Sequence, residues 1–132
     1  MKTAKMIKFL MVFVGISGCF SVLFGAWFAH GGQSLGELVQ SRLTHALQYQ
    51  FIHTLALFVT LLWYLVSPSK KLIAAAMCFF LGIICFSGSL YVKTFFDFSS
   101  IGKLAPLGGI SLALGWLIIS LSGINLLGKK TL

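Results

Sequence analysis

The chain has 132 residues, of which 58% are hydrophobic and only 9% charged. Its mean hydropathy is +1.00. Soluble domains carry about a quarter charged residues, so a soluble globular class is excluded, and the scarcity of polar, low-complexity sequence excludes a disordered one. Ten basic residues against two acidic ones would suit nucleic acid only if they clustered on one groove, and they do not.

Four apolar runs are long enough to cross a bilayer, for which about 20 residues are needed. They cover residues 7–28, 46–66, 72–92 and 104–127. Backbone polar groups must be paired within lipid, and runs of this length without strict alternation read as helices. The predicted fold is therefore an all-α integral membrane protein: one domain over 1–132, built as a compact antiparallel bundle of four transmembrane helices.

The first run opens with Lys2, Lys5 and Lys8 at its start and could pass for a signal peptide. Its apolar stretch is too long for that, and Trp27 and Phe28 spoil a small-residue cleavage site, so it is read as a retained span. Gly15, Gly18, Gly25 and Ala29 give it a smooth stripe, and His30 closes it. Next, Ser34 to Glu37 reads S-x-x-E, a capping box, which predicts a helical extension over 35–45 ahead of the second span. On that helix Arg42, Ala46, Tyr49, His53, Thr60 and Tyr64 share a face, with His45 and Gln50 beside it. This polar face is expected to point inward.

The turn Ser67-Pro68-Ser69 leads into the third span, where Ala75, Cys78, Gly82, Cys85 and Ser89 recur at spacings of three and four. Gly108, Ser111, Gly115 and Ser122 repeat the pattern in the fourth. In lipid such stripes let helix backbones approach closely. Cys19, Cys78 and Cys85 all fall inside spans, which argues against a disulfide framework.

Charge placement gives the topology. Lys2, Lys5, Lys8, Lys70, Lys71, Lys129 and Lys130 fall on one side of a four-span arrangement, against Arg42, Lys93 and Lys103 on the other. The bias predicts both termini in the cytoplasm and a multi-pass protein of the inner (cytoplasmic) membrane.

The polar residues then collect at the outer ends of the spans. Arg42, His45, Tyr49, Gln50 and His53 of the second, His30 of the first and Ser87, Ser89 and Tyr91 of the third are the candidate ligand-binding set. Polar groups at membrane depth are usually turned inward and mark functional sites. A cationic Arg42 at headgroup level suits a phosphate or carboxylate, with an apolar wall below for a tail. No metal, haem or other cofactor is expected: His45 and His53 stand eight residues apart on one helix, too far to share an ion. No catalytic residue is assigned, because paired carboxylates at depth are absent.

The segments "GAWFAHG" (25–31), "YQFIH" (49–53), "FSGSLY" (86–91) and "APLGGISLALGW" (105–116) resemble, in order, the domain-of-unknown-function 423 family of small membrane proteins, which also takes in human transmembrane protein 256. The resemblance implies a four-helix inner-membrane protein and carries over no catalytic residue. The functional expectation is a non-catalytic bundle that binds a lipid- or quinone-like ligand at an extracytoplasmic polar pocket, or a membrane-protein partner or second copy of itself. Two alternatives stay open: a membrane redox or enzyme subunit using the histidines, and an oligomeric proton or cation carrier.

Overall fold

The computed structural model describes residues 1–128, and all the regular structure among them is helical. Lys129 and Lys130, which contribute to the charge bias, lie outside the described residues. Four helical segments are long and apolar enough to cross a membrane: Lys2–Ser34, Glu37–Val66, Lys70–Phe95 and Ser99–Ile124.

Helix α1 spans Lys2–Gly31 and takes in all three N-terminal lysines. Its 30 residues reach about 45 Å at 1.5 Å each, longer than a hydrocarbon core of about 30 Å, so a helix can carry polar ends beyond the lipid. A short 3₁₀ turn, Gly32–Ser34, follows. Helix α2 spans Glu37–Val66 with Gly36 at its N-cap. The expected capping box does not form, because Ser34 is drawn into the preceding turn and its hydroxyl donates to the Gly31 carbonyl at 3.2 Å. Gln40 instead ties the turn down, donating its amide to the carbonyls of Gln33 (3.1 Å) and Leu35 (2.6 Å).

Pro68 stops α2, since proline disfavours helical backbone in the residue before it. Ser69 caps the next helix by accepting the Lys71 backbone N–H at 3.2 Å. The third span changes register in its middle: α3 (Lys70–Ile83) passes through a π-helical segment (Ile84–Gly88) into α4 (Ser89–Phe95). A tight turn with Asp97 at positive φ (51°) and a 3₁₀ segment, Ser99–Lys103, lead to α5 (Leu104–Gly128). Pro106 sits in the first turn of α5, where its missing N–H costs no helical bond.

Helix α3 packs most heavily on α5 and next on α2, while α1 leans mainly on α2. The small-residue stripes explain the first contact. A Cβ on Gly108 would collide with the backbone nitrogen of Phe86, and one on Gly82 would meet the Leu112 side chain. A Cβ on Gly115 would sit 2.7 Å from the buried Phe79 ring. The π-helical segment and Gly108 thus belong together: one carries backbone outward and the other leaves room for it. The stripe expected on the first span behaves differently. Nothing lies within 4 Å of where a Cβ on Gly15 or Gly18 would project, and a Cβ on Gly25 would make only ordinary contact with Leu47 at 3.4 Å. Those glycines do not form a close seam with the described helices. Only Leu10, Ser17 and Ser21 of α1 are buried.

The apolar core joins Leu10, Leu57, Leu61, Ala76, Phe79, Ile83 and Leu112. Large apolar side chains cover the outside, among them Ile16, Val22, Leu55, Val59, Leu117 and Leu121, as lipid contact requires.

Candidate functional site

The buried side of α2 consists of Leu43, Ala46, Gln50, His53, Thr54, Leu57, Thr60 and Leu61. Taken at 100° per residue, this face is centred near Gln50 and Leu57, and His53 stands to one side of its midline. Tyr49, expected on the inward stripe, is 40% exposed. The polar residues of α2 consequently divide into two clusters facing different neighbours.

The first cluster faces α5. The Trp116 indole N–H donates to His53 Nε2 at 3.1 Å, and His53 Nδ1 lies 2.7 Å from the Tyr49 carbonyl. An indole nitrogen can only donate and a carbonyl can only accept, so these partners assign a neutral ring with its proton on Nδ1. Both nitrogens are committed. The Tyr49 ring stacks on His53 at 5.6 Å and packs on Phe86 at 4.6 Å, while Phe79 and Trp116 meet edge to face at 5.3 Å. Alongside lies a cleft of about 420 Å³ lined by apolar groups such as Ile52, Trp63 and Ile119. Its one buried hydroxyl, Thr60, is spent on the Ala56 carbonyl at 2.7 Å.

The second cluster faces α1 and α4. Gln50 is 6% exposed. Its amide nitrogen donates to Ser17 Oγ at 3.0 Å and approaches the Ser17 carbonyl at 3.4 Å. Because that carbonyl can only accept, the amide orientation is fixed, and Gln50 Oε1 accepts the Tyr91 hydroxyl at 2.8 Å. Ser17 Oγ also shares a hydrogen bond of 2.7 Å with Thr54, and Ser21 donates to the Ser17 carbonyl at 2.8 Å. Ser87 donates to the Ala46 carbonyl at 2.7 Å, linking the π-helical segment to α2. Gln50, Ser17, Ser87 and Tyr91 border a cleft of about 200 Å³ between α1 and the third span, walled by Phe13 and Phe20. Exposed Ile16 and Ile84 at its rim open it to the lipid-facing surface.

The structure therefore brings Gln50, Ser87 and Tyr91 together on one flank, pairs Tyr49 with His53 on the other, and leaves the remaining candidates apart. Arg42 reaches Thr94 at 3.4 Å. Ser89 is buried and donates to the Phe86 carbonyl at 2.9 Å. His30 and His45 are exposed and make no side-chain hydrogen bond among the described residues. Among those residues, no three His, Cys, Asp or Glu side chains gather where they could hold a metal. Every buried side-chain nitrogen and oxygen among them has a partner. Ser17, the hub of the second cluster, was not anticipated from the sequence. A lone serine in an apolar run gives no sign that it meets a glutamine 33 residues away.

The model of a family described as "Protein of unknown function (DUF423)" matches residues 24–109, from the C-terminal part of α1 to the first turns of α5. The chain belongs to the DUF423 family. The matched stretch includes Gln50, Ser87 and Tyr91 but not Ser17. The chain is 32% identical over 123 residues to the UPF0382 membrane protein YwdK of Bacillus subtilis, covering 91% of this chain and 99% of that protein. It is 29% identical over 127 residues to the UPF0382 inner membrane protein YgdD of Escherichia coli, covering 92% and 94%. A UPF0382 membrane protein of Haemophilus influenzae is 32% identical over 111 residues, covering 83% and 89%. No solved structure matches the chain. With four helices able to span, this member of DUF423 is a multi-pass inner-membrane protein.

Proposed function

We propose that this chain is a non-catalytic membrane protein that holds a lipid- or quinone-like amphiphile against α2, in the cleft bordered by Gln50, Ser17, Ser87 and Tyr91. The helices run antiparallel in this reading, with both termini on the lysine-rich cytoplasmic side. The single observation that carries it is the coincidence of a lipid-open cleft with buried hydrogen-bonding side chains in mid-span. A polar floor beneath an apolar mouth suits a molecule with a small polar head and a long tail. A π-helical segment in the cleft wall adds support, since such segments recur at functional sites. The two carboxylates, Glu37 and Asp97, are both exposed at helix ends or turns, which favours binding over proton transfer through the spans.

Gly88 provides the test. It lines the cleft, and nothing lies within 4 Å of where its Cβ would project. Gly88→Leu fills the cleft without a clash at the backbone. Mass spectrometry of lipids extracted from protein purified in mild detergent should find a stoichiometric amphiphile in the wild type, lost in Gly88→Leu at unchanged thermal stability. Co-purified lipids that merely mirror the bulk membrane in both proteins would overturn the proposal. Orientation is tested separately in a cysteine-free background: Ser34→Cys should label from outside, and Ser69→Cys only after permeabilisation.

A further inference from the structure

The hydrogen bonds around the cleft have a direction, and the direction selects the ligand. Gln50 Nε2 faces the Ser17 carbonyl and hydroxyl, so Gln50 Oε1 faces Tyr91 and must accept its proton. The Tyr91 phenol has then spent its only donor and keeps its lone pairs. Ser87 is in the same state, its proton committed to the Ala46 carbonyl. The protons of Gln50 Nε2 are directed at Ser17. Tyr91, the half-buried polar group of the cleft, therefore presents an acceptor, and its own proton is spent inside the protein, while Ser87 and Gln50 are buried behind it.

The cleft walls add a second criterion. Phe13 and Phe20 flank it, and Phe20 meets the Tyr91 ring edge-on at 5.5 Å between centroids. Aromatic walls and a volume of about 200 Å³ suit one flat ring with short substituents. The rim is apolar, with Ile16 and Ile84 exposed toward lipid, so a tail attached to that ring leaves through the membrane side.

We infer that the cleft binds a hydroxylated aromatic headgroup, of the hydroquinone type, whose O–H donates to Tyr91 Oη. The inference rests on the reading of this cleft as an amphiphile site and adds the ligand's hydrogen-bonding polarity. A quinone offers only carbonyl acceptors. To bind one, Tyr91 would have to turn its proton away from Gln50 Oε1, leaving a buried acceptor without a partner, which proteins avoid.

The test uses the full chain in nanodiscs, titrated without oxygen with a decyl-substituted benzohydroquinone, the matching quinone and the hydroquinone dimethyl ether. The hydroquinone is expected to bind about tenfold more tightly than the other two, the size of effect that one unsatisfied buried group produces. Gln50→Leu frees the Tyr91 proton, so the quinone gains and the preference narrows. Gly88→Leu should abolish binding of all three. Equal binding of quinone and hydroquinone to the wild type would overturn the inference while leaving an amphiphile site standing. Hydroquinone binding that survives Gly88→Leu would place the headgroup outside this cleft and overturn the inference too. Absence of binding by any of the three, with no co-purified amphiphile, would remove the underlying site as well.

Discussion

The two flanks of α2 both carry polar side chains but set them differently against the neighbouring clefts. Toward α5, His53 is held at both nitrogens, by the Tyr49 carbonyl and the Trp116 indole, and the neighbouring cleft is lined mainly by apolar side chains, with the Thr60 hydroxyl donating to Ala56 and the Trp63 indole beside it. Toward α1, Gln50, Tyr91 and Ser87 are also satisfied, and together with Ser17 they border one cleft, where half-buried Tyr91 keeps lone pairs beside an open space. The packing differs in the same sense. The α3–α5 seam abutting the histidine flank admits no Cβ at Gly82, Gly108 or Gly115, whereas α1 buries only three residues. Depth and residue type therefore do not define a site here. A cluster of hydrogen-bonding side chains bordering room for a ligand does.

The largest effect should come from Gly108→Ala. Its Cβ would meet the backbone of Cys85 and Phe86, which cannot swing aside as a side chain can. A cost above about 3 kcal/mol is expected, at or beyond the upper end of ordinary overpacking, and little folded protein should survive size-exclusion chromatography. Gly115→Ala presses on the buried Phe79 ring, 2.7 Å from the added Cβ. It should lose about 1–3 kcal/mol in reversible unfolding from mixed micelles. The two polar flanks separate at the next level. His53→Ala and Gln50→Leu should each cost about 0.6–2 kcal/mol, the range of interhelical hydrogen bonds in membranes. Only Gln50→Leu should alter amphiphile retention by mass spectrometry; equal effects of both on retention would erase the contrast. The smallest effect belongs to Gly18→Ala, whose Cβ meets nothing. It should be neutral or stabilise by up to about 1 kcal/mol through helix propensity, read as an unchanged or raised melting temperature.

The four spans were legible because lipid imposes length and apolarity on every crossing segment, whatever its neighbours. Gly82, Gly108 and Gly115 announced a close seam for a related reason, since small residues at helical spacing have few other uses in a span. The same pattern misled at Gly15 and Gly18, because spacing reveals a smooth face and not whether a partner lies against it. Ser34 and Glu37 matched a capping box, but Gln40 and the Gly32–Ser34 turn claimed that stretch first. The π-helical segment left no sign in the sequence, as it differs from α-helix by a shift of register and needs no special residue. Within the site, Gln50, Ser87 and Tyr91 could be named as polar residues in apolar runs. Their pairing could not, because Tyr91 lies 41 residues from Gln50 and only the packing of α4 on α2 joins them. His53 stood out for its chemistry, and the group that occupies it, Trp116, is 63 residues away.

A high-resolution map of the full chain, purified in mild detergent with native lipid retained, tests the central claim most directly. The account predicts ring-shaped density between Phe13 and Phe20, within hydrogen-bonding reach of Tyr91 Oη, and uninterrupted contact between His53 and Trp116. Ligand density inserted between His53 and Trp116, with the Gln50 cleft closed by side chains, would contradict it.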